Sequence, residues 1–156
     1  MKKILLFSLL LLFLFSCNFF DKKKKQDNED DKTKMMDADR AFSKLSEKKG
    51  MKNAFLDYID SNGVLLRSNH LPLLGADAID FLIQQNDSSY TLKWEPEDGT
   101  VAASGELGYT YGIYVLKPGK KDTLLYGNYV SIWKKQSDGH WKFILDSGNE
   151  GIGDKN

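Results

Sequence analysis

The stretch GNYVSIWKKQSDGHWKFILDSGN, residues 127–149, decides how this chain is read. Apolar and aromatic side chains recur at every second position on both sides of Gln136-Ser137-Asp138-Gly139. A period of two belongs to a half-buried strand, and a short polar segment ending in Asp-Gly belongs to a hairpin connection. Working outward, the same period extends back to Tyr90. YTLKWEPE (90–97), TVAASGELGYTYGIYVLK (100–117), TLLYGNYVSIWKK (123–135) and HWKFILDSG (140–148) read as four strands, with DG, KPGKKD and QSDG as connectors. The runs are long for strands, so the sheet is expected to curve, with Gly105, Gly108 and Gly112 easing bends or bulges.

Before Tyr90 the period is helical. Met36, Ala38, Ala41, Phe42 and Leu45 lie near helical spacing, and Gly50 is placed to end that helix. A shorter helix follows with Met51, Phe55, Leu56 and Ile59 on its apolar stripe. DSNG (60–63) reads as a turn and VLLRS as a short strand. GADAIDFLIQQND (75–87) predicts a third helix with Asp77 favourably near its N-terminus. Helices first and an antiparallel meander afterwards make an α+β domain over 35–150, followed by a short tail over 151–156.

The amino terminus is of another kind. Lys2 and Lys3 precede an apolar run from Ile4 to Phe15, broken only by Ser8. Its length suits a secretory signal better than a spanning helix, which needs roughly 20 residues. The run ends in LFSC, which resembles the bacterial lipobox with Leu14 and Ser16 in place. That resemblance implies a signal peptide over 1–16, cleavage before Cys17, and acylation of Cys17. The expected partner is then the lipid bilayer, and the expected location is the extracytoplasmic side of the bacterial cell envelope. Residues 17–34 are dense in charge of both signs and read as a flexible tether.

Composition narrows the function classes. Lys and Arg together number 22, as do Asp and Glu, so no basic excess points to nucleic acid. Cys17 is the single cysteine, and His70 and His140 stand far apart. Neither an intramolecular disulfide nor a zinc site of the usual kind is expected, and no cofactor. There is no nucleophile elbow, phosphate-binding glycine loop or glycosidase-like carboxylate pair.

Taken together, AFLDYIDSNGVLLR, LPLLGADAI, ELGYTYGIY and the closing Y-x-x-x-W-K-K-Q-x-D-G-x-W-K pattern are similar to the SnoaL-like members of the nuclear transport factor 2-like superfamily, in an uncharacterised bacterial branch. The similarity covers roughly residues 36–150. It implies a cone: a curved antiparallel sheet wrapped around three helices, with a pocket at the open end and a homodimer through the outer face of the sheet. Isomerases of the superfamily carry a base in an Asp-Pro context just after the first strand. The comparable RSNHLP (67–72) holds no carboxylate, so the resemblance favours ligand or partner binding over catalysis.

The candidate catalytic groups are Asp146, on the last strand, and His70, a residue type that can stand in as a base. Glu106 and Asp57 are weaker candidates. On 107–115, Leu107, Tyr109, Tyr111, Ile113 and Val115 share one face, and Gly108, Thr110, Gly112 and Tyr114 the other. With the apolar set turned toward the helices, Tyr109 and Tyr111 join Trp94, Tyr129 and Trp133 in lining a pocket for an apolar small molecule. The competing reading has these aromatics fill the core or a dimer face. Three functions follow: a ligand-binding lipoprotein, an isomerase, cyclase or dehydratase acting on an apolar carbonyl substrate, and a dimerising accessory domain with a filled cone.

Overall fold

The structure, a computed structural model, describes residues 27–119 and 123–152. The signal peptide, Cys17, the first part of the tether and the end of the tail lie outside the described residues. Helix α1 runs over 27–49, followed by α2 (Met51–Tyr58), β1 (Ile59–Leu66), β2 (Leu73–Leu74), α3 (Ala76–Gln84) and the long strands β3 (Tyr90–Val101), β4 (Leu107–Pro118), β5 (Leu125–Lys135) and β6 (Trp141–Glu150). The six strands form one sheet in the order β2-β1-β6-β5-β4-β3. All neighbours are antiparallel except β1 and β6, which run parallel.

The expected open chain over 17–34 is corrected over 27–34, which is helical. Its charges are spaced to pair with the sheet: Asp31 meets Lys135 at 2.6 Å and Lys32 meets Asp98 at 2.7 Å. Met35, one turn on, is fully buried. A charged segment can remain helical when one of its stripes is held by tertiary partners. Further along, Arg40 reaches Glu95 (2.8 Å) and Lys93 reaches Glu47 (3.0 Å), so α1 is fastened along the whole of β3.

Gly50 separates α1 from α2. Its φ of 91° lets the chain leave α1, with its N–H donating to the Ser46 carbonyl. The first turn of α2 has no local side-chain cap, and Asp87 supplies one from a distance by accepting from the Lys52 N–H at 2.8 Å. Asp77 stands in the first turn of α3, as the sequence predicts.

Two turn signals are absorbed into strands. DSNG lies inside β1, where the register against β6 shifts between Ile59 and Val64. Asp98-Gly99 lies inside β3 beside a bulge between Pro96 and Asp98. The real β3–β4 connection is 102–106, closed by Ala102 N–H on the Leu107 carbonyl (2.7 Å), with Gly105 at φ 79°.

The core is aromatic. Phe42 of α1 is its hub, edge-on to Trp94 (4.5 Å between centroids) and Phe55 (4.7 Å) and stacked on Phe143 (5.5 Å). Such pairs add about 0.5–1.5 kcal/mol each beyond the area they bury.

Candidate functional site

A cavity of about 330 Å³ remains between the concave face of the sheet and the helices. Its walls are mostly apolar: Met51 and Phe55 from α2, Phe81 from α3, Leu92 and Trp94 from β3, and Tyr114 and Leu116 from β4. Tyr129 from β5 completes the aromatic wall. The polar lining is Arg67, Ser68 and His70 from the segment after β1, and Asp146, Ser147 and Glu150 from β6.

Parallel pairing of β1 with β6 brings Arg67 to Asp146. Leu65 stands opposite Asp146 and Leu66 opposite Ser147, so the next residue, Arg67, folds back over the strand. Its Nη2 donates to Asp146 Oδ1 at 2.7 Å, and Nη1 donates to the Asp146 carbonyl (3.1 Å) and the Leu66 carbonyl (2.9 Å). Ser131 donates to the second carboxylate oxygen, Oδ2, at 2.7 Å. Both oxygens of buried Asp146 are therefore engaged. The guanidinium also sits over the Phe55 ring, 5.4 Å from its centroid.

His70 follows a tight turn closed by its own N–H on the Arg67 carbonyl (3.1 Å), with Asn69 at φ 64°. Asn tolerates that left-handed position better than most side chains. The His70 ring is exposed, lies edge-on to Phe81 at 5.1 Å, and contacts the Ser68 carbonyl through Nδ1. It stands at the rim of the cavity, and Asp146 within it.

A further acid lies behind the wall. Asp39 of α1 is fully buried and accepts from Trp94 Nε1 (2.6 Å) and the Tyr129 hydroxyl (2.8 Å), with Thr110 also bonded to it. Thr110 in turn accepts from Trp133 Nε1 at 2.8 Å. Burial pushes the Asp39 carboxyl above the usual carboxylate range, against the pull of its three donors. Tyr129 is pushed up as well, by burial first and then by Asp39. The acid thus fixes the orientation of two aromatic walls from behind, without lining the cavity itself. Periodicity passes over it because Asp39, Ser43 and Ser46 break the apolar pattern on the buried face. The signal that reveals it is spacing: Met35, Asp39, Phe42, Ser43 and Ser46 form one helical stripe, all buried.

Trp94 and Tyr129 line the cavity, whereas Tyr109 and Tyr111 do not. Both are 43% exposed on the outer face, so the inward assignment of these two tyrosines is corrected. The inward residues of β4 are Gly108, Thr110 and Gly112, all buried, followed by Tyr114 at the cavity. The first three are small because the space before them is taken. A Cβ on Gly108 would strike the Met35 sulfur and the Thr100 carbonyl, and one on Gly112 the Glu95 carbonyl. Trp133 is corrected too: it is fully buried in the core against Phe42 and Phe143, away from the cavity. Glu106 and Asp57 are exposed and lie elsewhere. Among the described residues, no cluster of three His, Cys, Asp or Glu side chains could hold a metal ion. No helix among them is long and apolar enough to cross a membrane.

No protein-family model and no curated protein matches this chain. Solved structures do. A ketosteroid isomerase-like protein from Erwinia carotovora atroseptica superposes with a TM-score of 0.63 at 11% identity, covering 78% of this chain and 97% of that one. A nuclear transport factor 2-like protein with a cystatin-like fold from Novosphingobium aromaticivorans gives 0.63 at 12% identity, covering 81% and 85%. A nuclear transport factor 2-like protein of unknown function from Prochlorococcus gives 0.59 at 18%, covering 79% and 94%. Identities this low speak to the fold alone. With three helices against a curved, mixed six-stranded sheet, the chain has the cone-shaped α+β fold of nuclear transport factor 2-like proteins.

Proposed function

We propose that this protein is an envelope lipoprotein, anchored through acylated Cys17, whose cone domain binds a small apolar molecule. The observation that carries the binding reading is the cavity: about 330 Å³, walled by Phe55, Phe81, Trp94, Tyr114 and Tyr129, with Arg67 and Asp146 as its paired polar feature. Its size falls at the lower end of the roughly 300–1,000 Å³ usual for small-molecule sites. A cone filled by its own aromatics does not fit this volume. The anchor rests on the basic start, apolar run and LFSC pattern. The exposed Tyr109, Tyr111 and Val130 on the outer face of β4 and β5 support a homodimer through that face.

The enzyme reading has one observation in its favour, the presence of His70 beside the Arg67–Asp146 pair at the rim. Among the described residues it lacks a free buried base at the cavity. Asp146 has both oxygens engaged, and Asp39 is enclosed behind Trp94 and Tyr129. Binding is therefore the better supported function.

Native mass spectrometry of the purified protein, beside a Leu116→Trp variant that fills the cavity, tests the reading. A co-purified small mass on the wild type that disappears in the variant is the expected result. A wild type that arrives empty, and whose tryptophan emission no member of an apolar ring-compound library alters, would overturn it. The anchor is tested separately: Cys17→Ser should move the protein from the detergent phase to the aqueous phase.

A further inference from the structure

We infer that the cavity selects a neutral, ring-sized molecule bearing a hydrogen-bond acceptor, and that Arg67 is the residue that receives it. The inference rests on the binding reading and adds the chemical class of the ligand.

Besides the Tyr114 and Tyr129 hydroxyls, the ionisable side chains at the cavity are Arg67, Asp146, Glu150 and His70. Arg67 and Asp146 are in contact at 2.7 Å and cancel one another. Glu150 adds a negative charge at the rim, where it is exposed and close enough to Tyr114 to help raise that hydroxyl's pKa, after burial. A carboxylate entering the cavity would find no surplus positive charge, because Arg67 is already neutralised by Asp146, whose own charge lies beside it. Like-charge approach in a partly dry site is costly. An ammonium group fares no better inside, because Arg67 already neutralises Asp146 and would repel a second cation there, and exposed Glu150 is screened by solvent toward either ion.

A neutral acceptor does find a partner. A guanidinium carries five N–H groups in a planar fork. The two Nη1 hydrogens go to the Leu66 and Asp146 carbonyls and one Nη2 hydrogen goes to Asp146 Oδ1. The Nε–H and the second Nη2–H have no partner among the described residues, and planarity sets them side by side on the edge away from Asp146. Phe55 holds the plane from one face. The result is a pre-oriented pair of donors whose charge has been neutralised, within apolar walls. A carbonyl or ether oxygen on a ring fits it, and a ligand with no acceptor would leave these donors unpaired.

Four probes sharing one ring, 2-acetylnaphthalene, 2-ethylnaphthalene, 2-naphthoate and 2-naphthylmethylammonium, separate the outcomes by calorimetric titration of the full protein at pH 7. The ketone is expected to bind about tenfold more tightly than the ethyl compound and than either ion, the difference one buried hydrogen bond makes. In the paired variant Arg67→Met with Asp146→Leu, which avoids a lone buried charge, the ketone should lose that advantage over the ethyl compound. Naphthoate or the ammonium equalling the ketone overturns the inference, as does equal binding of ketone and ethyl compound, a comparison needing no variant. Failure of all four to bind overturns the binding reading and the inference together. Binding without ketone preference overturns the inference alone.

Discussion

Replacing Asp39 by alanine should destabilise the protein more at acid pH than at alkaline pH. Asp39 accepts hydrogen bonds from Trp94, Tyr129 and Thr110. One of these donors has another outlet when the carboxyl is removed: the Tyr129 hydroxyl can turn to water in the cavity it lines. Trp94 Nε1, on a residue only 8% exposed, has none, and neither has the fully buried Thr110 hydroxyl, whose bond with Trp133 is one it accepts. Two orphaned buried donors at roughly 1–3 kcal/mol each, with the void left by the carboxyl group, bring the loss to about 3–6 kcal/mol. The pH dependence comes from burial, which raises the native carboxyl above its ordinary value. The native state then binds the proton more tightly than the unfolded chain. That contribution is complete below about pH 4 and is lost as pH rises through the native pKa, with each tenfold difference in proton affinity worth about 1.4 kcal/mol. Alanine carries no such dependence, so the gap between wild type and variant narrows toward high pH. Urea unfolding followed by tryptophan fluorescence at pH 4.5 and pH 8 measures it. A gap that is constant, or that widens with pH, would show that the site stabilises the anion and refute the reasoning.

Four further outcomes are expected. Gly127→Ala should destabilise by about 1–3 kcal/mol in thermal unfolding, because its Cβ would strike the Asn149 carbonyl and the Tyr114 ring. Gly148→Ala, whose Cβ would lie an ordinary 3.5 Å from the same ring, should stay within about 1 kcal/mol of wild type. Arg67→Ala leaves buried Asp146 with Ser131 as its remaining side-chain donor and should cost about 2–4 kcal/mol, seen as a fall in Tm on the order of 10 °C. Adding Asp146→Leu should recover part of that loss; no recovery would refute the pairing argument. Tyr111→Lys should shift a dimer toward monomer in sedimentation velocity while leaving monomer stability within about 0.5 kcal/mol, and a dimer that persists unchanged would remove this face as the interface.

The three helices and four long strands were legible because their periods differ, 3.6 against 2, and each run is long enough to establish its own. Local chemistry was a poorer guide wherever a distant element supplied the deciding contact. Asp98-Gly99 has the composition of a hairpin turn, yet Lys32 pairs with the aspartate, and α1 methionines lie where a Cβ on the glycine would stand. The charged stretch over 27–34 looks like open chain until Lys135 and Asp98 are placed beside it. In β4 the alternation has the expected period of two and the opposite sense, with Tyr109 and Tyr111 outward. A rule that turns aromatics inward fails at Gly108 and Gly112, where Met35, Tyr129 and the carbonyls of β3 already occupy the space a side chain would need. At the site, Asp146, His70, Trp94 and Tyr129 were visible as residue types in a plausible region. Arg67 and Asp39 were not, since the first acquires its role from the parallel pairing of β1 with β6, and the second from a strand more than fifty residues away.

The course of α1 separates two kinds of traffic. Asp31, near its start, pairs with Lys135 at the end of β5, while Ser46, near its finish, bonds to the Leu92 carbonyl at the beginning of β3. The 23 residues of 27–49 span about 35 Å at 1.5 Å per residue. The cavity residues Leu92, Leu116 and Glu150 lie toward the Ser46 end of α1, and residue 27 stands at the opposite end. On the proposed reading of the cavity as a ligand site and of Cys17 as the anchor, ligand entry and the start of the described chain therefore belong to opposite ends of the same helix.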